Sequence, residues 1–254
     1  MNKIKGHTIK QHLLKKYQNI DFQIFNTIDS TNIYAKKIVP SITKNTIIIS
    51  NSQTSGQGKF GKKFFSPANT GIYMTIILKD TIKTKNVFSI TFLCALAVCK
   101  AIEKLTDIKP KIKWINDIFI NNKKCCGILT ECETDLKKKI SKNIIAGIGL
   151  NVNTMKFPKE LKNIATSLQN HIDRNIIISE IINNFFKFYN NLTIKQIIEK
   201  YKKYCFVLDK DIYYTRNNIK YIAKVVDINK FGNLIIKDID GKLKVLEYEE
   251  IKII

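Results

Sequence analysis

The chain has 254 residues, of which 44% are hydrophobic, and its formal net charge at pH 7 is +22. This length suffices for one sizeable core and a small second module. The sequence contains no apolar run of about 18 residues, so no membrane span is predicted. Only Arg174 and Arg216 are arginines, and the lysines are spread along the chain, so the charge indicates solvated surfaces rather than a selected nucleic-acid site. The N-terminus has no apolar signal segment, so a cytoplasmic location is expected.

The first elements precede a glycine-rich loop. Residues 1–20 predict a helix with a frayed start, and residues 22–25 alternate like a strand. A helix is predicted over residues 31–39, with Asp29 or Ser30 as its N-cap, because short oxygen-bearing side chains bond the free N–H groups of a first turn. Hydroxyls and N–H groups at such a helix start can also bind a small polar ligand.

The glycine-rich loop, residues 54–66, contains three glycines and three lysines and is the first candidate for a ligand site. Glycines let a backbone approach a ligand closely, and lysines with successive N–H groups attract anions. Gly56, Gly58 and Gly61 match the dinucleotide pattern G-x-G-x-x-G, and the segment nearly fits a P-loop, but both patterns need a helix directly after the loop. Pro67 breaks such a helix. A phosphate- or carboxylate-binding loop and a tight turn in a basic surface loop both remain open.

Strands are predicted on either side of this loop, over residues 46–50 and 72–78. A loop over residues 79–86 leads into a long helix over residues 87–105, whose face is mostly apolar. This composition predicts a core helix lying on a sheet.

The middle of the chain predicts several strands in succession. Residues 112–120 form a strand pair or one bent strand, and Asn121-Asn122 forms a turn. An apolar strand follows over residues 124–130. Residues 135–142 predict a charged surface loop or turn, and residues 144–152 another strand.

The last part of the chain changes from helix to strand patterns. Helices are predicted over residues 177–189 and 194–204, with Ser179 and Thr193 as caps. From about Val207, short alternating segments predict a small all-β module. The turns between its strands are predicted at Asn217-Asn218, at residues 231–233 and at Asp240-Gly241.

No pair among the six cysteines has C-x-x-C spacing, so free buried thiols in a reducing compartment are predicted. The three histidines form no zinc-ligand pattern with them, and no side chain of the chain is predicted to hold a metal ion. The residues are Cys94, Cys99, Cys125, Cys126, Cys132 and Cys205, with His7, His12 and His171.

Several ordered segments together resemble one family, the biotin–protein ligases. Their signatures are a glycine- and arginine-rich biotin loop, a K-W-P-N-D segment, a K-x-x-G-I-L strand and a G-x-G-x-N strand. The segments that match these four signatures are, in order, the glycine-rich loop, Lys113-Trp114-Ile115-Asn116-Asp117, Lys123-Lys124-Cys125-Cys126-Gly127-Ile128-Leu129 and Gly147-Ile148-Gly149-Leu150-Asn151. Asp29-Ser30-Thr31-Asn32 lies upstream of them, and Ala165-Thr166-Ser167-Leu168 downstream resembles the family's A-T-S-L segment.

The resemblance implies an α+β fold. A mixed β-sheet catalytic domain flanked by helices, similar to class II synthetases, would cover residues 1–206, and a small SH3-like β-barrel would cover residues 207–254. Larger members of the family carry an N-terminal helix-turn-helix repressor domain. Too few residues precede Phe22 to build one, so neither a repressor role nor a DNA partner is expected.

The resemblance also implies a two-step reaction with biotin and ATP as substrates and Mg²⁺ escorting the ATP. Biotin is activated to biotinyl-5′-AMP and then transferred to a lysine of a biotin carboxyl carrier protein. No membrane partner is expected, and a homodimer stays open. The competing interpretations are a lipoate– or octanoate–protein ligase and, in another class, a basic nucleic-acid-binding protein.

Three residues are implied to be catalytic: Lys124, Asp117 and Lys59. Lys124 begins an apolar strand, so it needs an anionic partner if it points inward; the alternative is a solvated strand-end lysine. The residues implied to bind biotin are Ser30, Thr31, Asn32, Gln53, Gly56, Gln57, Gly58, Lys59, Lys124, Gly127 and Gly149, and those implied to bind ATP are Gly61, Phe64, Asn116 and Asn151.

The chain departs from the family pattern at four positions. Ile115 replaces a proline, and Phe64 replaces a tryptophan that packs over adenine. Gln57 and Lys59 replace two loop arginines, so only a point charge without a planar fork remains. Weaker retention of the adenylate is therefore expected.

Overall fold

The structure is a computed structural model that describes residues 3–169, 172–217, 219–247 and 249–254; His171 and Asn218, named above, lie outside them. The described residues form five α-helices and thirteen strands. The helices are α1 (Gly6–His12), α2 (Thr31–Ile38), α3 (Phe88–Leu105), α4 (Arg174–Asn191) and α5 (Ile194–Tyr204). The strands are β1 (Asp21–Phe25), β2 (Thr46–Ser50), β3 (Gly71–Leu78), β4 (Ile82–Lys83), β5 (Lys111–Lys113), β6 (Asp117–Ile120), β7 (Lys123–Asp135), β8 (Ile140–Asn151), β9 (Asp211–Arg216), β10 (Ile219–Ile228), β11 (Leu234–Asp238), β12 (Leu243–Leu246) and β13 (Ile251–Ile253).

The larger sheet has the order β1-β2-β3-β8-β7-β6-β5, with β4 paired to β8. Strands β1 and β2 are parallel and the other pairs are antiparallel, so the sheet is mixed, as the sequence predicted. Ile47 and Ile49 belong to the main core with α3 and α4, whereas Ile48 packs on the opposite face with Ala35 of α2. Burial on both faces explains why β2 is apolar throughout.

Helix α3 is long and apolar enough to cross a membrane, but 67% of its apolar window is buried inside the protein. It packs against α4 and α5 and against strands of the larger sheet. These contacts confirm the prediction of a core helix.

The predicted N-terminal helix over residues 1–20 is wrong beyond His12. Helix α1 ends there, and Leu13 is extended before a short 3₁₀ turn over Lys15–Tyr17. Asn183 of α4 causes the break, because its side chain accepts a hydrogen bond from Leu14 N and donates one to His12 O. The backbone groups that could have continued α1 are bonded to the side chain of Asn183 in α4 instead.

Two local predictions in the second half also need correction. Asp173, not Ser179, caps α4, since its side chain accepts from Asn175 N; Ser179 lies inside the helix and bonds Asn175 O and Ile9 O. The surface loop or turn predicted over residues 135–142 is confined to a turn at residues 136–139, because β7 and β8 continue into a long hairpin with Asp135 opposite Ile140. Thr193 does cap α5, in a complete capping box.

The C-terminal residues form a second antiparallel sheet, in the order β12-β11-β10-β9-β13, as expected for an SH3-like module. Trp114 joins this sheet to the first, because its indole Nε1 donates to Gly232 O over 2.9 Å. Buried residues of both sheets belong to one continuous hydrophobic cluster. The two sheets therefore share a core. This arrangement lets the glycine-rich loop and the segment before β13 line one cavity.

Candidate active site

The glycine-rich loop folds back on itself as a short hairpin. Phe64 N donates to Gly56 O over 2.9 Å, and Gly58 N donates to Lys62 O over 2.7 Å. Phe60 at the tip has a left-handed φ of 56° and is exposed. The next element is strand β3 rather than a helix, so the rejection of the dinucleotide and P-loop patterns is confirmed.

Gln53 ties this loop to the start of α2. Its Oε1 accepts hydrogen bonds from the backbone N and the hydroxyl of Thr31, at 2.9 and 3.2 Å, and its Nε2 donates to Ser66 Oγ. A Cβ on Gly56 would lie 2.5 Å from Phe64 O, so only glycine allows the two sides of the loop to approach this closely. Ser30 occupies the predicted N-cap position without a capping hydrogen bond from its side chain.

A row of in-register residues crosses the sheet beneath the loop. Lys113 of β5 pairs with Asp117 of β6, Asp117 with Gly127 of β7, Gly127 with Gly149 of β8, and Gly149 with Tyr73 of β3. Residues in register on neighbouring strands project from the same face. The row therefore places a cation, an anion, two bare backbone positions and an aromatic ring side by side.

The two glycines of this row leave space that other side chains enter. A Cβ on Gly149 would lie 2.6 Å from Phe64 Cε1, and a Cβ on Gly127 would lie 3.1 Å from Lys124 Nζ. Because neither position carries a side chain, the Phe64 ring and the Lys124 amine can lie directly over the backbone.

A β-bulge brings Lys124 to the face that carries Asp117. The pairing of β6 with β7 shifts between Ile118 and Phe119, so that Cys126 opposes Ile118 but Lys124 opposes Phe119. Bulges re-aim side chains in this way; a regular strand would have placed Lys124 on the core side with Cys126. Lys124 Nζ lies 2.7 Å from Asp117 Oδ1. The inward orientation with an anionic partner, rather than the solvated alternative, is what the structure shows.

Two further lysines share this electrostatic environment. Burial lowers the pKa of Lys59 and of Lys113, and the neighbouring carboxylates Asp117 and Glu250 oppose that shift. The charge of Lys124 acts in the same direction as burial on both. An anion entering between these amines would restore their preference for the protonated form.

These side chains line a cavity of about 340 Å³. Fourteen of the sixteen residues implied by the family resemblance lie along it, while Gly56 and Gly61 do not, and the ligand contacts of all sixteen stay predictions. The fourteen are Ser30, Thr31, Asn32, Gln53, Gln57, Gly58, Lys59, Phe64, Asn116, Asp117, Lys124, Gly127, Gly149 and Asn151.

The three asparagines in the cavity wall differ in their bonding. Asn32 is fully engaged, with Thr75 Oγ1 donating to its Oδ1 and its Nδ2 donating to Leu129 O. Asn116 Nδ2 donates to Ile128 O. Asn151 Nδ2 donates to Thr166 O, but its Oδ1 is buried without a partner among the described residues. This acceptor is therefore available to a hydrogen-bond donor that enters the cavity.

The sequence prediction did not include the cavity residues contributed by the C-terminal module, or Lys113. Glu249, Glu250 and Ile251 line the cavity, and Lys62 of the loop donates to both carboxylate oxygens of Glu250, at 2.7 and 2.9 Å. No local pattern could have found this long-range contact. Lys113 could have been found, since it begins the same five-residue segment as Asp117.

Among the described residues, no group of three or more histidine, cysteine or acidic side chains could hold a metal ion. All six cysteines are free, and five of them are buried. Burial raises the pKa of the Cys94 and Cys125 thiols, so they stay protonated as small apolar groups, as the sequence predicted.

Comparisons with known proteins identify the family of this chain. Residues 24–151, about half of the chain, match the model of the biotin/lipoate A/B protein ligase family. The chain is 36% identical over 194 residues to the bifunctional ligase/repressor BirA of Bacillus spizizenii and 34% identical to that of Bacillus subtilis. These matches cover 74% of this chain and 57% of each relative. The chain therefore belongs to the biotin/lipoate A/B protein ligase family and spans little more than half the length of these relatives.

Solved structures share the fold. The biotin protein ligase of Aquifex aeolicus in complex with biotin and ATP superimposes with a TM-score of 0.74 at 24% identity, covering 92% of this chain and 99% of that one. The Leishmania major enzyme in complex with biotinyl-5-AMP gives a TM-score of 0.62 at 21% identity, covering 90% and 99%.

Proposed function

We propose that this chain is a biotin–protein ligase, which activates biotin with ATP and transfers it to a lysine of a biotin carboxyl carrier protein. The observation that carries the proposal is the Lys124–Asp117 pair, which lies beside the bare backbone of Gly127 in a cavity closed by the glycine-rich loop. The curated relatives named above, whose names describe ligases, support it.

In the first step, an oxygen of the biotin carboxylate attacks the α-phosphorus of ATP, and the bond to the β-phosphate oxygen breaks to release pyrophosphate. Two anions must approach each other, so positive charge has to offset their repulsion. The Lys124 amine lies over the backbone of Gly127. In the proposed reaction this amine bridges the carboxylate and the α-phosphate. Asp117 orients this amine before the substrates bind.

The remaining cavity residues divide between the two substrates. Ser30, Thr31 and Gln53, at the end of the cavity formed by α2, offer hydroxyl and amide groups for the polar ring of biotin. The buried Oδ1 of Asn151 would accept from the exocyclic amine of adenine. Phe64 retains an aromatic face for stacking but lacks the indole N–H.

In the second step, the neutral amine of a carrier lysine attacks the acyl carbon of biotinyl-5′-AMP. An amide forms, AMP leaves and one proton is released. Mg²⁺ bound to the phosphates of ATP would offset part of their negative charge. The proposed division into a catalytic domain (residues 1–206) and a C-terminal module (207–254) is supported by their separate sheets, although both contribute to the cavity. A homodimer and a cytoplasmic location stay predictions.

Because the family includes lipoate ligases, substrate identity needs a direct test. The experiment is titration calorimetry of the full chain with biotin, with lipoate and with a short DNA duplex, followed by biotin-dependent ATP–pyrophosphate exchange. We expect binding of biotin alone and exchange only when biotin is present. Preferential binding of lipoate or DNA, or exchange without biotin, would reject the proposal.

A further inference from the structure

Lys113 ends the edge strand β5 on the face of the sheet that carries the cavity. It pairs in register with Asp117 and lines the cavity, while Lys111, two residues earlier on the same face, is exposed and does not line it. Two residues of one strand thus differ in their access to the site, which makes Lys111 a matched reference for Lys113.

The cavity carries more positive than negative charge. Its lining includes five lysines (Lys59, Lys62, Lys63, Lys113, Lys124) and three carboxylates (Asp117, Glu249, Glu250). Two of these carboxylates already have lysine partners, since Asp117 pairs with Lys124 and Glu250 with Lys62. Glu249 pairs with Arg216.

Lys113 itself forms no ion pair among the described residues, although it lies in the fields of Asp117 and Glu250. Burial lowers the pKa of its amine, so holding it charged in the cavity has a cost that a bound anion would offset. Lys113 is thus a half-buried lysine without an ion pair among the described residues, at the edge of a positively charged cavity. A bound anion would account for its position.

The position of Lys113 at the β5 end of the in-register row determines which part of a bound ligand lies near it. Gly127, beside the Lys124 amine, lies two strands away from Lys113, or about 10 Å at the usual strand spacing. Three of the residues proposed for biotin, Ser30, Thr31 and Gln53, lie at the opposite end, at the start of α2 and in the segment that follows β2. A triphosphate held by its α-phosphate at Lys124 and extending along the row away from biotin therefore brings its last two phosphates toward Lys113.

We propose that Lys113 binds the β- and γ-phosphates of ATP, and the pyrophosphate that they become. This inference rests on the proposed function and names the leaving-group side of the same site. When the carboxylate oxygen bonds to the α-phosphorus, the electron pair of the breaking P–O bond passes to the pyrophosphate. The ammonium of Lys113 stabilises this growing charge and then holds the product until it leaves.

The test compares Lys113→Met, which keeps the length but removes the charge, with Lys113→Arg and with the matched control Lys111→Met. Steady-state ATP–pyrophosphate exchange supplies the KM for pyrophosphate and for ATP. Calorimetry supplies the Kd for biotin, and carrier biotinylation from synthetic biotinyl-5′-AMP measures the second step alone.

For Lys113→Met we expect the KM for pyrophosphate to rise about tenfold or more, as for the loss of one charge-assisted hydrogen bond. Biotin affinity and transfer from the synthetic adenylate should stay within twofold of the unmodified chain, Lys113→Arg should recover most of the loss, and Lys111→Met should change nothing.

A KM for pyrophosphate within twofold of the unmodified value would overturn the assignment. A parallel loss in biotin binding and in transfer would also overturn it, because that pattern marks a structural role; Lys113→Gln, with a melting curve for each variant, separates unfolding from loss of charge. If the unmodified chain showed no biotin-dependent exchange, the proposed function itself would fail first, and that result is distinguishable from both outcomes.

Discussion

Lys124 and Asp117 are adjacent because of one irregularity in strand pairing. The bulge between β6 and β7 places Lys124 on the cavity face, 2.7 Å from Asp117. Without it, a charged amine would point into the apolar core beside Cys126, where an unpaired charge is strongly unfavourable. Cys125, the extra residue of the bulge, and its neighbour Cys126 are both buried, while Lys124 faces the cavity.

Replacing Lys124 should separate chemistry from folding. We expect Lys124→Ala to lower the ATP–pyrophosphate exchange rate more than tenfold, because a charge facing two anions is lost. Lys123→Ala is the control, since Lys123 is adjacent and its amine donates to the exposed carbonyl of Lys162, outside the cavity lining. An exchange rate for Lys124→Ala within threefold of the unmodified chain would show that Lys124 does not act on the reaction.

The glycine-rich loop is the element in which this chain departs most from its family. Its hairpin is closed by backbone hydrogen bonds and by Gln53, which also holds the first turn of α2. Gln57 donates back to Ser55 O rather than to a distant group. The loop can therefore keep its shape without arginines, and in the proposed function its hold on a phosphate would depend on Lys59 and on backbone N–H groups.

We expect Lys59 to control how long the adenylate stays bound. Lys59→Gly should speed the release of pre-formed biotinyl-5′-AMP about tenfold, whereas Lys59→Arg should slow it, because the guanidinium offers a planar fork. Burial lowers the pKa of Lys59, so its charge is lost at a lower pH than that of an ordinary lysine. Release should consequently rise at high pH in the unmodified chain and less in Lys59→Arg.

The measurement is the decay of the enzyme–adenylate complex without carrier, followed across pH. Equal off-rates for all three chains would mean that Lys59 retains nothing and that the backbone alone holds the intermediate.

Gly56 should be required for loop closure rather than for direct ligand contact. In Gly56→Ala the added Cβ would lie 2.5 Å from the backbone oxygen of Phe64, so the two sides of the loop must separate. We expect biotin affinity to fall about tenfold as the contact between Gln53 and Ser66 is disturbed. Calorimetry checks this, with Ser55→Ala as the neighbouring control; unchanged affinity in Gly56→Ala would contradict the prediction.

At the scale of the whole molecule, the C-terminal module completes the cavity. Glu249, Glu250 and Ile251 reach the cavity from the module, and the Lys62–Glu250 pair connects the module to the loop. Trp114 and Gly232 hold the two sheets together below this point. The module is thus placed to stabilise the closed position of the loop.

A charge swap tests this connection. Because the Lys62–Glu250 pair is exposed, we expect Lys62→Glu or Glu250→Lys alone to speed adenylate release only about threefold, mostly at low salt. The double variant Lys62→Glu/Glu250→Lys should restore the rate, which a double-mutant cycle quantifies. If the free-energy effects of the two single substitutions on adenylate release simply added in the double variant, the pair would not couple the module to the loop.

Strands β2 and β3, helices α3 and α5 and the short strands after Val207 could be predicted from the sequence because local patterns determine them. β-Branched runs, a long apolar face, a capping box and turn residues each act within a few positions along the chain. The ordered motifs likewise identified the family, and the glycine-rich loop was separated from nucleotide-binding loops by Pro67, whose effect is local.

Only the tertiary structure decided where α1 ends, on which face Lys124 lies, and that Lys113 and Glu250 share a cavity with the loop. Each depends on partners far away in the chain: Asn183 bonds His12, a register shift between two strands turns Lys124, and Lys62 meets Glu250 across 188 residues. Strand register alternates side chains between faces with a period of two, so a single bulge reverses the outcome. Local pattern therefore determined which residue types were available, and long-range pairing determined which of them meet.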